Sequence, residues 1–264
     1  MSTRPLFLIC NDDGVHAAGI RALAQAVETF ADYVIVAPHV ERSGSGQGLS
    51  LTQPLRVERL DSNIYAVEGT PTDCVIFAMN KLLMRRPDYV LSGINRGSNI
   101  GQDTLYSGTV AAAMEGCIQG VPAVAFSLKG RRAFEVGDYA DAIKVVRHLF
   151  AHQDLLAPSK GAVLNVNIPD IPLASMRGVA VTRLGRRIYD SAIAESVDPR
   201  GRPYFWIGGG GEDVEDTPGT DCKLLTEGFV TLTVLSPDHV LQSANEALKA
   251  KAEERLSATL QLMR

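Results

Sequence analysis

The feature that most constrains this 264-residue chain is an alternation, over its first two thirds, of short apolar runs with helical patterns. Leu6–Cys10 is apolar throughout and too short for a helix, so it reads as a buried strand. Over Gly19–Phe30, the residues Ile20, Leu23, Ala24, Val27 and Phe30 recur at helical spacing. Tyr33–Ala37 is a second strand, stopped by Pro38. Leu55–Leu60 and Ile64–Val67 read as a hairpin joined by Asp61-Ser62-Asn63. Thr70-Pro71-Thr72-Asp73 has the form of a helix start, with a capping hydroxyl, a proline in the first helical position and an acid in the first turn. That helix is predicted to run to about Leu83. Strands over Tyr89–Ser92, Ala123–Ser127 and Ala162–Asn167 then alternate with helices over Thr109–Gly120 and Tyr139–Ala151. Crossovers between parallel strands are right-handed, so this order predicts an α/β fold: a Rossmann-like, doubly wound, mainly parallel sheet with helices on both faces.

The pattern changes after about residue 175. Gly178–Thr182 and Tyr204–Ile207 are short strand-like pieces amid Arg, Gly and Pro, followed by four consecutive glycines from Gly208. Three regions are expected: a Rossmann-like catalytic core over 1–184, an extended arm with little core of its own over 185–228, and a last part over 229–264. The last part holds a strand, Phe229–Leu235, and a C-terminal helix opened by the capping-box form Ser243-Ala244-Asn245-Glu246 and running to about Leu262. An arm of that kind packs on its own domain or reaches a partner subunit.

Composition excludes several function classes. The formal charge is 26 − 30 = −4 with no run of Lys and Arg, which argues against a duplex nucleic acid partner. No stretch approaches the roughly 18 apolar residues a membrane span requires, and the N-terminal apolar run is too short for a signal peptide. The four cysteines (Cys10, Cys74, Cys117, Cys222) lie far apart with no C-x-x-C, so a cytoplasmic protein without a disulfide scaffold is expected.

Three polar loops follow three of the strands: Asn11-Asp12-Asp13-Gly14, the stretch around Arg42-Ser43-Gly44, and Gly93-Ile94-Asn95-Arg96-Gly97. In a parallel sheet the carboxyl ends of the strands share one edge, and ligands bind where the strand order reverses. Asp12 and Asp13 are adjacent acids at a buried strand end, where two bare carboxylates repel and lose water. A divalent cation resolves both costs. Ser43 and Asn95 would add neutral oxygens, and an all-oxygen set selects a hard ion such as Mg²⁺ or Mn²⁺. The plainer alternative is that Asp12 or Asp13 only caps the helix beginning near Gly19.

A second constellation is Tyr106-Ser107-Gly108-Thr109 at the entry of a helix. A helix start presents unpaired N–H groups and a partial positive charge, Gly108 permits close approach, and Ser107 and Thr109 offer hydroxyls, so an anion such as phosphate fits there. An ordinary Ser or Thr cap with no ligand is the alternative. Arg96 or Arg42 could offset further negative charge. The loop over 93–108 carries neither a P-loop nor a dinucleotide fingerprint, which disfavours a nucleoside triphosphatase and an NAD enzyme. His16 is a candidate support for the acids. His148 and His152 stand four apart but lack the Glu-containing metalloprotease pattern.

Together these stretches resemble a known family. Asn11-Asp12-Asp13-Gly14-Val15-His16-Ala17, Arg42-Ser43-Gly44, Gly69-Thr70-Pro71-Thr72-Asp73-Cys74, Ser92-Gly93-Ile94-Asn95 and the run from Tyr106 to Gly116 are similar to the SurE family, the stationary-phase survival proteins. Gly219-Thr220-Asp221 and Glu227-Gly228-Phe229-Val230 resemble its later motifs. After Gly44 the chain departs from the family's usual pattern, with Ser45-Gly46-Gln47-Gly48 where a Ser-Asn pair is common.

The resemblance implies a divalent-metal-dependent phosphatase that hydrolyses nucleoside 5′- and often 3′-monophosphates through a metal-activated water. It implies one metal per subunit held by Asp12, Asp13, Ser43 and Asn95, with Asp12 or Asp13 as proton acceptor. Asn11, Gly44, Asn95, Arg96, Ser107, Gly108 and Thr109 are the expected phosphate and substrate contacts. It also implies a homodimer or homotetramer with the C-terminal part exchanged between subunits. Two other functions compete: a non-catalytic nucleotide or phosphate sensor, and a broad phosphatase acting on sugar phosphates or short polyphosphate. The second draws on the lack of an aromatic-rich base pocket, since Tyr204 and Trp206 lie in the arm.

Overall fold

A computed structural model describes residues 4–130, 133–152, 156, 161–189, 193–207 and 214–238. The expected C-terminal helix and the four glycines from Gly208 lie outside the described residues. Among the described residues the core is one mixed sheet of nine strands, in the order Val57–Asp61 (β3), Ile64–Val67 (β4), Asp32–Pro38 (β2), Leu6–Cys10 (β1), Tyr89–Arg96 (β5), Ala123–Lys129 (β6), Val163–Pro169 (β7), Val230–Leu235 (β11) and Val179–Thr182 (β8), beside a separate two-stranded ribbon of Ile193–Val197 (β9) and Pro203–Ile207 (β10). The central strands are β1 (Leu6–Cys10), β2 (Asp32–Pro38), β5 (Tyr89–Arg96), β6 (Ala123–Lys129) and β7 (Val163–Pro169). All of their mutual pairings are parallel. At the near edge, β4 (Ile64–Val67) joins β2 in parallel and carries the antiparallel hairpin partner β3 (Val57–Asp61). At the far edge, β11 (Val230–Leu235) pairs antiparallel with β7 and parallel with β8 (Val179–Thr182).

Helices cover both faces, as two hydrophobic clusters show. One packs α1 (Ala18–Val27) and α4 (Ala140–Phe150) on residues such as Phe7, Ile9, Leu91 and Phe126. The other packs α2 (Pro71–Phe77) and α3 (Gly108–Ile118) on Leu8, Cys10, Val36 and Val90. Strands buried on both faces read as continuous apolar runs, which is why β1 is recognisable from its composition alone. The Thr70 start of α2 is a complete capping box: the Asp73 N–H donates to the Thr70 hydroxyl, and the Thr70 N–H donates to the Asp73 carboxylate. All four cysteines are buried and free.

Two differences from the sequence expectation bear on the site. First, β5 does not end at Ser92 but runs to Arg96, with a register shift against β6 between Ser92 and Asn95. Gly93 makes this continuation possible. Its φ is +121° and a Cβ there would collide with the Phe126 carbonyl, so only glycine fits. Second, the stretch read as an arm contains a short helix, α5 (Asp221–Thr226), that packs on the main sheet with Cys222 and Leu225 buried. The expected strand at Tyr204–Ile207 is β10 (Pro203–Ile207), and its partner β9 (Ile193–Val197) had no counterpart in the sequence reading.

Candidate active site

The strand order reverses at β1, which lies between β2 and β5; the carboxyl ends of β1 and β2 carry two of the polar loops, and the third polar stretch, from Gly93 to Gly97, forms the last residues of β5 and the turn beyond. The loops converge on Asp12 and Asp13. The Arg42 N–H donates to the Asp12 carbonyl at 2.7 Å, which draws the Ser43 loop onto the end of β1. From the other side the Arg96 N–H donates to Asp13 Oδ2 at 3.1 Å, which ties the end of β5 to the second acid. The Thr109 hydroxyl donates to Asp12 Oδ1. Gly108 permits this approach, because a Cβ there would stand 2.6 Å from Asp12 Cβ.

The two carboxylates are held against their own ionisation. Asp12 is almost fully buried, and loss of water pushes its pKa from 3.8 up to about 6, against the Thr109 hydroxyl bond and with the adjacent Asp13 charge adding to the rise. Asp13 is also raised by burial, opposed by the Arg96 N–H bond and the Arg96 charge. Neither acid acts as a side-chain cap for α1: the N-cap of that helix is Ala17, with no side-chain cap bond. The capping alternative for these acids therefore does not describe the structure.

Asn11 is buried beside the pair and donates Nδ2–H to the Gly14 carbonyl, while its Oδ1 has no hydrogen-bond partner among the described residues. Asn95 donates Nδ2–H to the Gly97 carbonyl at 2.8 Å, which leaves its Oδ1 as the acceptor atom. Ser43 and Gly44 are exposed on their loop, and the Ser43 hydroxyl donates to Glu41 Oε1 at 2.7 Å. The donor set is thus two carboxylates plus neutral oxygens. Among the described residues no group of three or more His, Cys, Asp or Glu side chains is placed to hold a metal. His148 and His152 pack edge to face at 5.3 Å and are exposed.

At the start of α3 the Ser107 hydroxyl accepts from the Val110 N–H at 3.1 Å, as an N-cap does. Ser107 is therefore a cap, and the Asp12 carboxylate already lies against Gly108 and Thr109 at that helix start. The loop between β5 and α3 is fixed from beneath by a buried amide cluster. The Asn165 and Asn167 side chains donate to the Asn99 carbonyl, Asn167 Oδ1 accepts from the Asn99 N–H, and Asn99 Nδ2 donates to Ser127 Oγ. Asp221 is fully buried and adds a second clamp. It accepts from the N–H groups of Gly101 at 3.0 Å, Gly185 at 2.7 Å and Cys222 at 2.8 Å. Gln102 pairs with the backbone of Arg187, whose guanidinium reaches Asp103 at 2.6 Å. The base of the arm is thereby bound to the site loop.

A cavity of about 210 Å³ opens beside Asp13, lined by His16, Arg96, Phe134 and Tyr139 along with alanines 17, 18 and 133. Phe134 had no place in the sequence reading. A lone phenylalanine in a loop has no local signature, and only its tertiary position shows it. A larger cavity of about 350 Å³ lies against α3, lined mainly by aliphatic residues such as Leu105, Met114 and Leu184.

Residues 7–191 match the family model described as "Survival protein SurE". The 5′-nucleotidase SurE of Vibrio parahaemolyticus is 49% identical over 253 residues, covering 95% of this chain and 95% of its own. The 5′-nucleotidase SurE of Vibrio vulnificus is 46% identical over 250 residues, covering 94% of each. The crystal structure of the SurE protein from Aquifex aeolicus superposes with a TM-score of 0.79 at 37% identity, covering 93% of this chain and 99% of that one.

Proposed function

This chain belongs to the SurE family, and from that premise we propose that it is a divalent-metal-dependent phosphatase of nucleoside 5′-monophosphates, acting on 3′-monophosphates as well. The observation that carries the reading is the buried Asp12 beside the half-buried Asp13, onto which the backbone N–H groups of Arg42 and Arg96 draw the segments that carry Ser43 and Asn95. The residues fit a hard cation. Two acids are raised by burial, Asn11 Oδ1 is a buried acceptor without a partner among the described residues, and every candidate donor is oxygen. Asp12, Asp13, Ser43 and Asn95 would hold one Mg²⁺ or Mn²⁺ per subunit. When bound, such an ion neutralises phosphoryl charge and acidifies water.

The remaining work falls to the chain. Asp12, fixed by the Thr109 hydroxyl, and Asp13, fixed by the Arg96 N–H, set the ligand geometry, and one of them takes the proton from the attacking water. Gly108 and the N–H groups at the start of α3 face the phosphoryl oxygens, and Arg96 offsets charge. Asn11 and Gly44 line the approach. The Asp12 carboxylate at the α3 start balances that helix end until a substrate phosphate and a cation share the charge. The nucleotidase reading stands above the sensor reading because the relatives are named as nucleotidases over nearly their whole length.

The arm supports an oligomer. Ile193, Phe205, Trp206 and Ile207 are all more than half exposed on the β9–β10 ribbon, and a second copy of the chain is the surface that would cover them in a homodimer or homotetramer. The four free cysteines suit a reducing cytoplasm. Among the described residues no helix is long and apolar enough to cross a membrane.

Phosphate release from nucleoside 5′- and 3′-monophosphates tests the reading. Turnover is expected to vanish with EDTA and return with Mg²⁺ or Mn²⁺. A folded sample that binds nucleotide with metal yet releases no phosphate would establish the sensor instead. Release confined to sugar phosphates or short polyphosphate would establish the broad phosphatase.

A further inference from the structure

Both cavities border the proposed phosphate site, and only one has the chemistry to hold a base. The cavity beside Asp13 contains Phe134, whose ring is 65% exposed and carries the Arg96 guanidinium 4.9 Å from its centroid. An exposed aromatic ring with a guanidinium over it is a platform for a flat, π-bearing group. Among the described residues, the cavity against α3 has no aromatic and no cationic residue in its lining. Arg96 also joins the two functions, because its N–H holds Asp13 while its side chain lies on Phe134.

The platform is built rather than incidental. The Asp138 carboxylate accepts from the N–H groups of Phe134 and Glu135, each at 2.9 Å, and so fixes the turn that presents the ring. The Tyr139 hydroxyl donates to the Ala133 carbonyl at 3.4 Å from inside the same cavity. A mobile phenylalanine would have no such anchors on both sides of its backbone.

We propose that Phe134, with the Arg96 guanidinium over it, is the base platform of this phosphatase, so that the cavity beside Asp13 takes the nucleobase of the substrate. The proposal rests on the nucleotidase reading for its substrate class. It explains how a chain without an aromatic-rich pocket can still prefer a nucleotide to a bare sugar phosphate. Asp138 is a positioning residue that acts through Phe134.

The test compares AMP with ribose 5-phosphate, which share the phosphate and the sugar and differ in the base. The ratio of kcat/KM for AMP over ribose 5-phosphate is expected to fall about tenfold in Phe134→Ala, the size of one lost base–aromatic stack. Phe134→Trp should restore it, and Asp138→Ala should lower it by a smaller factor through KM. Calorimetric affinities for the same two ligands with Mg²⁺ should show the same ratio change, and they decide the proposal even if neither compound is hydrolysed. Absent hydrolysis would fail the nucleotidase reading alone. An unchanged affinity ratio in Phe134→Ala overturns the platform, as does a fall in that ratio produced by Leu105→Ala in the other cavity.

Discussion

The edge of the sheet at Asp12 and the β9–β10 ribbon are opposites in how they treat their residues. At the edge, Asp12 is an acid shut away from water, with each surrounding loop drawn in by a backbone bond. In the ribbon every residue of both strands is exposed, including Trp206 and Ile207. One region buries charge and the other displays apolar surface, so each works against the stability of a lone protomer. Under the proposed function a cation meets the first deficit and a second copy of the chain meets the second. The comparison teaches that the two least self-sufficient regions of the fold are the two that face other molecules.

The strongest way to sharpen this contrast is Asp12→Asn, which should cut turnover on the order of a thousandfold or more. It should also raise the stability of the metal-free protein near neutral pH by up to about 3 kcal/mol, because it removes a buried charge. The pH dependence follows from the raised pKa. Between the ordinary 3.8 and about 6 the folded state binds more protons than the unfolded state, so metal-free stability falls as pH rises through that window and stays low above it. Urea midpoints in EDTA from pH 4 to pH 8 should show a shallower fall in Asp12→Asn than in the parent. An equal fall in both would break the link between the buried acid and the stability cost.

Asp221→Ala probes the junction between the two regions. It removes the acceptor for three backbone N–H groups and should cost about 3–5 kcal/mol. Urea unfolding would read this loss, and a cost below about 1 kcal/mol would mean that the clamp is not needed. The smallest effect is expected from Trp206→Ser with Ile207→Ser. Unfolding at low protein concentration should change by no more than about 0.5 kcal/mol, while sedimentation shifts to a smaller species. A large loss of protomer stability would show that the ribbon packs on its own chain.

Much of the central sheet was readable because its strands are buried on both faces and its helices carry one apolar face. The helix start at Thr70 could be named from four residues, since the bonds of its cap are local. Convergence of the three loops followed from sheet direction alone. What escaped the sequence depends on long-range contact. Gly93 looked like punctuation, yet its neighbour Ile94 is fully buried and β5 continues through both residues. The helix α5 spans six residues inside a stretch rich in Gly and Pro, and its burial comes from the sheet it packs on. Ser107 offered two roles with equal spacing, and only the position of the Val110 N–H shows that it caps. Phe134, in a loop after β6, gained meaning from Arg96 at the end of β5.

The Asp221 clamp also has a consequence in time. Asp221 and Gly101 are separated by 120 residues, yet the carboxylate of one closes the loop begun by the other. At a synthesis rate of roughly 5–20 residues per second, the loop would wait about 6–24 s on the ribosome before its anchor is made. A nascent chain would therefore carry Asp12 and Asp13 long before their surroundings are finished, and the assembled site belongs to the nearly complete polypeptide.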